Sequence, residues 1–389
     1  MSIFATEPYA GITSLPLQRH LGSAKDMWKT NSLTNLLSID VPIIQGPFGG
    51  GLSSVQLTAA VSQAGGLGSF GAHHLPPEQI VATVNALRAK TSKPFALNLW
   101  VDGHDAAVSQ FTSAQFDRQM ERLRPFFETL ELELPTPPAR FGQVFDEQIE
   151  AVLQSSPPVL SFVFGVPSPE VIRACRARGI VTIGTATTPE EAVAVEAAGL
   201  DAVVATGQEA GGHRAAFLKA PEEGMIGTLA LVQLVRTRVR LPIIAAGAIA
   251  DGRAVASMLV LGADGVQVGT AFLACEESGA SETQRKAMFS KEVRETVLTR
   301  VFSGRLARSI RNHFTDTMTA YEGDAAPYPI QGWMTGQLKA AAIAQDRADL
   351  MSLWAGQAVP LLRHRRATDL FADLVRETDQ ALLRYRHEV

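Results

Sequence analysis

Eight short apolar runs alternate with helical segments, several helices open on recognisable caps, and the strand ends carry Gly-rich turns. This pattern predicts an α/β protein closed into a (β/α)8 TIM barrel, with an elaborated loop after strand three and a C-terminal helical region. The runs are 41–45, 66–71, 94–101, 159–164, 181–185, 202–206, 242–246 and 265–269. Each has the length of a strand and is rich in Val, Ile, Phe or Ala, as expected where both faces are covered.

The helices between them carry start signals. Ser168-Pro169 sets a cap before Pro at the first helical position, and Thr188-Pro189-Glu190-Glu191 adds the capping-box Glu. Returns to the next strand are brief, as in Ala198-Gly199-Leu200-Asp201 and Leu261-Gly262-Ala263-Asp264, where Gly ends a helix. Two stretches break the rhythm. Between 102 and 157 two helical patterns, 113–132 and 141–154, flank the Pro-rich 134–138, an insertion expected to wall one side of the barrel mouth. From 281 to 389 the chain reads as helix and loop, as in 368–385, with no further strand alternation. The expected organisation is therefore an irregular leader at 1–27, a barrel at 28–280 and a helical appendage at 281–389 that closes over or flanks the site.

Composition narrows the function. Hydrophobic residues make up 46% of the 389 and charged residues 19%, enough apolar side chain for a large core and no sign of disorder. A formal charge of -4 leaves no basic excess for nucleic acid or an anionic membrane, so a small molecule is the expected partner. Cys175 and Cys275 lack metal-site spacing, and no pair of histidines supplies it, so no metal is expected. Two isolated cysteines, no apolar run near the roughly 18 residues of a span, and no basic-then-apolar start together favour the cytoplasm.

In parallel barrels ligands meet the loops that follow the strands, and phosphates are often held after the seventh and eighth. Gly247 follows run seven, and Gln267-Val268-Gly269-Thr270 ends run eight. These turns suit either a phosphate or a tight connection, and their occurrence at adjacent strand ends favours the phosphate. Run one leads into Gln45-Gly46, and run three contains Asn98 amid apolar neighbours. A buried amide needs partners, which a flavin ring edge or a hydrogen bond within the barrel can supply. Run six leads through Thr206 into Glu209-Ala210-Gly211-Gly212-His213-Arg214, which sets His213 at the expected catalytic face as a candidate base. The alternative is an ordinary surface histidine. His73 and His74 end run two, where neighbours on an extended chain point opposite ways.

The blocks 42–47, 64–72, 209–214 and 262–273, with the later Phe302-Ser303-Gly304-Arg305-Leu306-Ala307-Arg308 and Tyr328-Pro329-Ile330-Gln331, resemble the nitronate monooxygenases, formerly called 2-nitropropane dioxygenases. The similarity runs from about Trp28 onward, and the Glu-Ala-Gly-Gly-His and Gln-x-Gly-Thr blocks together make it specific. It implies an FMN-containing barrel that oxidises alkyl nitronates with O2 to carbonyl compounds and nitrite. By the resemblance Asn98, Gly211, Gly247, Gln267, Val268, Gly269 and Thr270 correspond to FMN contacts, with Gln45, Gly46 and Gly212 as neighbours. His213 corresponds to the base that takes the α-proton of a neutral nitroalkane. Thr206 stands at an FMN-contact position where relatives usually carry Gln, and Ala215, Ala248 and Ala254 replace common glycines. Two other readings remain at this point: an FMN-dependent NAD(P)H enoyl-thioester reductase, and a catalytically silent flavin-binding barrel. Arg305 and Arg308 are left without a role, and Tyr321, Tyr328 and Trp333 are read as either lid or core.

Overall fold

The structure is a computed structural model that describes residues 28–101, 105–291 and 295–384; the leader expected at 1–27 lies outside them. Among the described residues eleven strands follow in chain order: β1 Ile43–Gln45, β2 Gly68–Gly71, β3 Phe95–Trp100, β4 Val159–Val163, β5 Val181–Ala186, β6 Ala202–Thr206, β7 Gly212–His213, β8 Ile243–Ala246, β9 Gly265–Val268, β10 Thr296–Thr299 and β11 Ala307–Ile310. Eight of them pair in parallel in the order β1-β9-β8-β6-β5-β4-β3-β2. The ring closes where Gln45 donates its N–H to Leu67 and Leu67 donates to Ile43, a parallel bridge centred on Ile44 and Leu67. All eight expected runs are barrel strands, most of them shorter at the ends than the apolar stretch.

The two-residue period sorts side chains into two cores. Ile44, Ala96, Val204, Ile244 and Ala246 join one cluster. Their neighbours Ile43, Leu97, Val203, Ala205, Ile243 and Ala245 pack with helical residues such as Leu57, Val84, Val195 and Val232. Close approach decides one position: a Cβ on Gly68 would lie 1.9 Å from the carbonyl oxygen of Thr58, so only glycine lets the helix Val55–Gln63 lie on β2. The caps at Ser168 and Thr188 accept from Val171 and Glu191. Glu191 does not complete a capping box. Its buried carboxylate accepts from Thr187 and from the N–H groups of Phe217 and Leu218, tying down the loop that follows β7.

The C-terminal region divides in two. The last helix, Ala367–Arg384, packs between the helices Gly252–Val260 and Val55–Gln63, and its Leu370, Phe371 and Leu374 belong to the barrel core. It therefore completes the barrel as the helix after the eighth parallel strand. The chain between β9 and that helix forms a cap with its own core, in which Phe302, Phe314, Met334 and Leu338 meet Phe116, Leu123 and Phe127 of the insertion helix Ser113–Thr129. The expectation of helix and loop alone beyond 281 is corrected here. β10 pairs antiparallel with β11, and β11 with β7, so the cap is stitched to the loop after β6. The insertion's second helix, Phe145–Ser155, packs on the barrel beside Pro77–Lys90.

Phe371 is 4% exposed and seals the barrel between its first and last helices. Phe371→Ala should lower unfolding free energy by about 3–5 kcal/mol. Val260→Ala, at a position 76% exposed, should change it by less than about 0.5 kcal/mol. Chemical denaturation of both variants checks the contrast.

Candidate active site

A cavity of about 640 Å³ lies where the loops after the barrel strands meet the cap, within the roughly 300–1,000 Å³ of small-molecule sites. Ten of the twelve residues singled out from the sequence line it: Gly46, Asn98, Thr206, Gly211, Gly212, His213, Gly247, Gln267, Gly269 and Thr270. Gln45 and Val268 stand behind the wall. The Gln45 side chain is fully buried and accepts from the N–H of Ser69, bracing the β1–β2 seam. Val268 is one residue out of phase with Gln267 and belongs to the core beneath the helices.

The loop from Thr206 to Arg214 is held from both ends. Glu209 accepts from the N–H and hydroxyl of Thr228, a carboxylate at the start of the helix Thr228–Arg236 where the helix dipole favours it. Arg214, 2% exposed, donates to the carbonyls of Thr206, Gly207 and Gly224. Between them Gly211 lies so close to Ala355 and Gly356 of the cap that a Cβ would meet their backbone at 2.5 Å. Gly212 and His213 then pair with Arg308 and Ala307, which presents the imidazole to the cavity. At the end of β8, Gly247 has φ +121 and no room for a Cβ beside Thr228. Ala248 follows at φ +54, a left-handed conformation that glycine would adopt without strain.

His213 Nε2 lies 2.8 Å from Ser303 Oγ. Trp100, Tyr328 and Phe164 meet its ring edge-on with centroids 5.0, 6.3 and 6.3 Å away, and Trp354 is tilted at 5.3 Å. Burial, and secondly the charge of Arg305, lower its pKa to about 3. His73 stacks on Trp100 at 3.9 Å and is pushed down chiefly by burial, then by His74, His213 and Arg305. His74 is lowered to about 4 by burial and by Lys339. Both of these histidines line the cavity, because the chain turns after β2 and the alternation of an extended strand no longer applies.

Arg305 sits in an aromatic cage, its guanidinium 4.3 Å from the centre of Phe164, 4.7 Å from Tyr328 and 5.8 Å from Trp100. Its Nε donates to Asp105 at 2.7 Å, and Asp105 also accepts from the N–H of Tyr328. Arg308 donates to the carbonyl of Gln208 and to Thr296. Both arginines join loops rather than face the cavity. Tyr328 and Trp333 line it, whereas Tyr321 is exposed and lies under Arg122. Lys339 also reaches the cavity, donates to the carbonyl of Gly50 at 3.1 Å and has its pKa lowered by burial. Sequence reasoning assigned no role to Ser303, Trp100 or Lys339. Ser303 stands in a block that carries the family resemblance, but a serine beside a turn glycine has no chemical signature of its own.

The family model for nitronate monooxygenase matches residues 30–377. A probable nitronate monooxygenase of Staphylococcus aureus strain Newman is 40% identical over 92% of this chain and 99% of its own length. A nitroalkane oxidase structure from Streptomyces ansochromogenes superposes with a TM-score of 0.83 at 38% identity, covering 91% of this chain and 100% of that one. FabK from Thermotoga maritima superposes at 0.70 with 29% identity, covering 92% and 98%.

Two outcomes follow from this geometry. Ala248→Gly should raise stability by about 0.5–1 kcal/mol, the relief of left-handed strain less the added freedom of the unfolded chain. Thermal or chemical denaturation reads it. The depressed histidines set a pH dependence. The unfolded chain protonates them below about 6.5, while the folded chain resists down to about 4 at His74 and about 3 at His213. Their contribution to stability is therefore complete above pH 6.5 and is lost as pH falls from there toward those folded values. Denaturation midpoints between pH 7 and 4.5 should fall more steeply for the wild type than for His73→Gln/His74→Gln.

Proposed function

The chain belongs to the nitronate monooxygenase family, and on that premise we propose that it oxidises alkyl nitronates with O2, using FMN bound in the barrel-mouth cavity, to carbonyl compounds and nitrite. The charge pattern of the cavity carries this reading. Among the described residues no carboxylate lines it, one lysine does, and its histidines are held neutral. Such a wall favours anions, and both a nucleotide phosphate and a nitronate are anions.

The residues fit a flavin nucleotide. Gly247, Gly269 and Thr270 bring main chain to the cavity at the ends of β8 and β9, and a Cβ on Gly269 would enter open space rather than protein. Asn98 spends its amide N–H on Ser161, which leaves its carbonyl oxygen to accept from a ring N–H. Thr206 and Gln267 add a hydroxyl and an amide, with Gly46, Gly211 and Gly212 beside them. Gln45 and Val268 hold the strand ends from behind. FMN, when bound, supplies electron acceptance from the nitronate and passage of those electrons to O2.

The chain's own task is to position the substrate, exclude water and move one proton. The aromatic wall of Trp100, Tyr328 and Trp354 dries the space around His213. A neutral nitroalkane must lose an α-proton first, and the neutral imidazole of His213 at the cavity wall is the group assigned that step. A supplied nitronate needs no such step. Similarity to the Streptomyces nitroalkane oxidase supports including neutral nitroalkanes as substrates.

The test is a visible spectrum of the purified protein during nitronate titration, with nitrite assayed in parallel. A flavin band that responds to nitronate, together with nitrite release, is expected. A colourless protein without nitrite would sink the proposal, and rapid bleaching by NAD(P)H with enoyl-thioester turnover would replace it with the reductase reading. His213→Asn should lower kcat/KM for a nitroalkane about 10²–10⁴-fold and that for the matching nitronate by less than about tenfold. Equal losses would remove His213 from the base role.

A further inference from the structure

The helix Ile330–Ala344 turns one side to the cavity, where Gly332, Trp333, Thr335, Gly336 and Lys339 line it at spacings of three and four residues. Two of the five are glycines, which disfavour a helix more than any residue except proline. Packing calls for neither. A Cβ on Gly332 would make only ordinary contacts, with Ser303 Cα at 3.8 Å and Tyr328 Cε2 at 4.0 Å, and one on Gly336 would meet nothing within 4 Å. Gly68 and Gly211 are required because a Cβ would strike neighbouring backbone; at Gly332 and Gly336 the absent side chains leave open cavity instead.

This open strip has two defined ends. At the inner end Gly332 abuts Ser303 and Tyr328, and Ser303 Oγ lies 2.8 Å from Nε2 of His213. At the outer end Gly336 and Gly50 are exposed, and Lys339 Nζ donates to the Gly50 carbonyl at 3.1 Å, tying the helix to the loop after β1 at the rim. From Gly332 to Lys339 is two helical turns, a rise of roughly 10 Å. Phe48 and Leu52 of that loop and Phe302, Leu350 and Met351 of the cap supply apolar walls to the same cavity. Resting on the nitronate reading, we infer that the site takes nitronates with a long unbranched alkyl tail, the charged end near His213 and the tail laid along this strip toward the rim. Gly332 and Gly336 determine the tail length accepted. A zigzag chain advances ~1.25 Å per carbon at bond lengths near 1.5 Å, so about eight carbons fill roughly 10 Å. A short nitronate leaves the strip to water, and each methylene that enters it adds apolar burial.

The test is a homologous series, ethyl- to octylnitronate, run on the holoprotein as wild type and as Gly336→Leu. Wild-type kcat/KM should rise about two- to fourfold per methylene until the strip is filled, the upper figure being the worth of one fully buried CH₂. Gly336→Leu puts a side chain midway along the strip, on a helix that leucine favours over glycine, and should cut the octyl-to-ethyl ratio of kcat/KM about tenfold or more. A second series reads binding without turnover: butanoate to octanoate, whose carboxylate shares its charge between two oxygens as a nitronate does. Tryptophan fluorescence follows it, because Trp100, Trp333 and Trp354 line the cavity. Octanoate should bind the wild type about tenfold or more tighter than butanoate, and Gly336→Leu should level the two. A flat series in the wild type, or chain-length ratios unchanged in Gly336→Leu, would overturn the inference. A protein inactive on every nitronate would reject the nitronate reading, while the carboxylate series still decides whether the strip holds an alkyl tail.

Discussion

Closure of the parallel sheet is the constraint from which the site follows. The β1–β2 seam has few backbone bonds, centred on Ile44 and Leu67, and the helix that covers the neighbouring barrel flank is the last in the described chain. Everything between β9 and that helix must therefore leave the barrel and come back. An excursion anchored at both ends on one rigid body can pack only over the mouth or along a flank, and here it joins the insertion helix in a second apolar core. The cavity is the space left between two cores that each satisfy their own packing. The three-stranded sheet of β7, β11 and β10 joins them, and its centre runs through the pairing of His213 with Ala307.

The same join sets the electrostatics. Arg305 belongs to the cap, yet its charge reaches His213 and His73 on the barrel side. Its cation is stabilised by the faces of Phe164, Tyr328 and Trp100 and by Asp105 from the insertion. The rings that dry the cavity thus also hold a charge that adds to burial in lowering the pKa of His213 and His73. Burial and a neighbouring cation act in one direction on an imidazole, and both are present.

Much of the barrel was legible because strands covered on both faces read as unbroken apolar runs, and the Thr188-Pro189 and Ser168-Pro169 caps mark helix starts without tertiary help. The cap was harder. β10 and β11, Thr-Val-Leu-Thr and Ala-Arg-Ser-Ile, have no alternation that distinguishes them from loop, and the strand they reach is only Gly212–His213. Their pairing is a tertiary fact. The helix after 367 was legible as a helix but not as a member of the barrel, since nearly a hundred residues separate it from β9. At the site, Asn98, His213 and the glycines announced themselves through chemistry unusual for their surroundings. Ser303 and Lys339 are ordinary residues made significant by what folding brings beside them, and Gln45 shows the converse: its chemistry was conspicuous, but its side chain braces the seam.

Under the proposed base role, the environment that keeps His213 neutral also limits it. A ring held neutral by burial and by Arg305 has its lone pair free across the ordinary pH range, but the same two causes oppose the imidazolium that forms when it takes a proton. General-base efficiency is greatest when the base's pKa lies near the working pH, and an imidazole at about 3 falls well short of that. A substrate that arrives already as an anion avoids this cost and gains from a wall without carboxylates. Deprotonating a neutral nitroalkane, in contrast, creates a cation beside Arg305 in a dry space, offset only as the nitronate forms next to it. Under the proposed function the cavity is therefore better matched to the nitronate than to its conjugate acid.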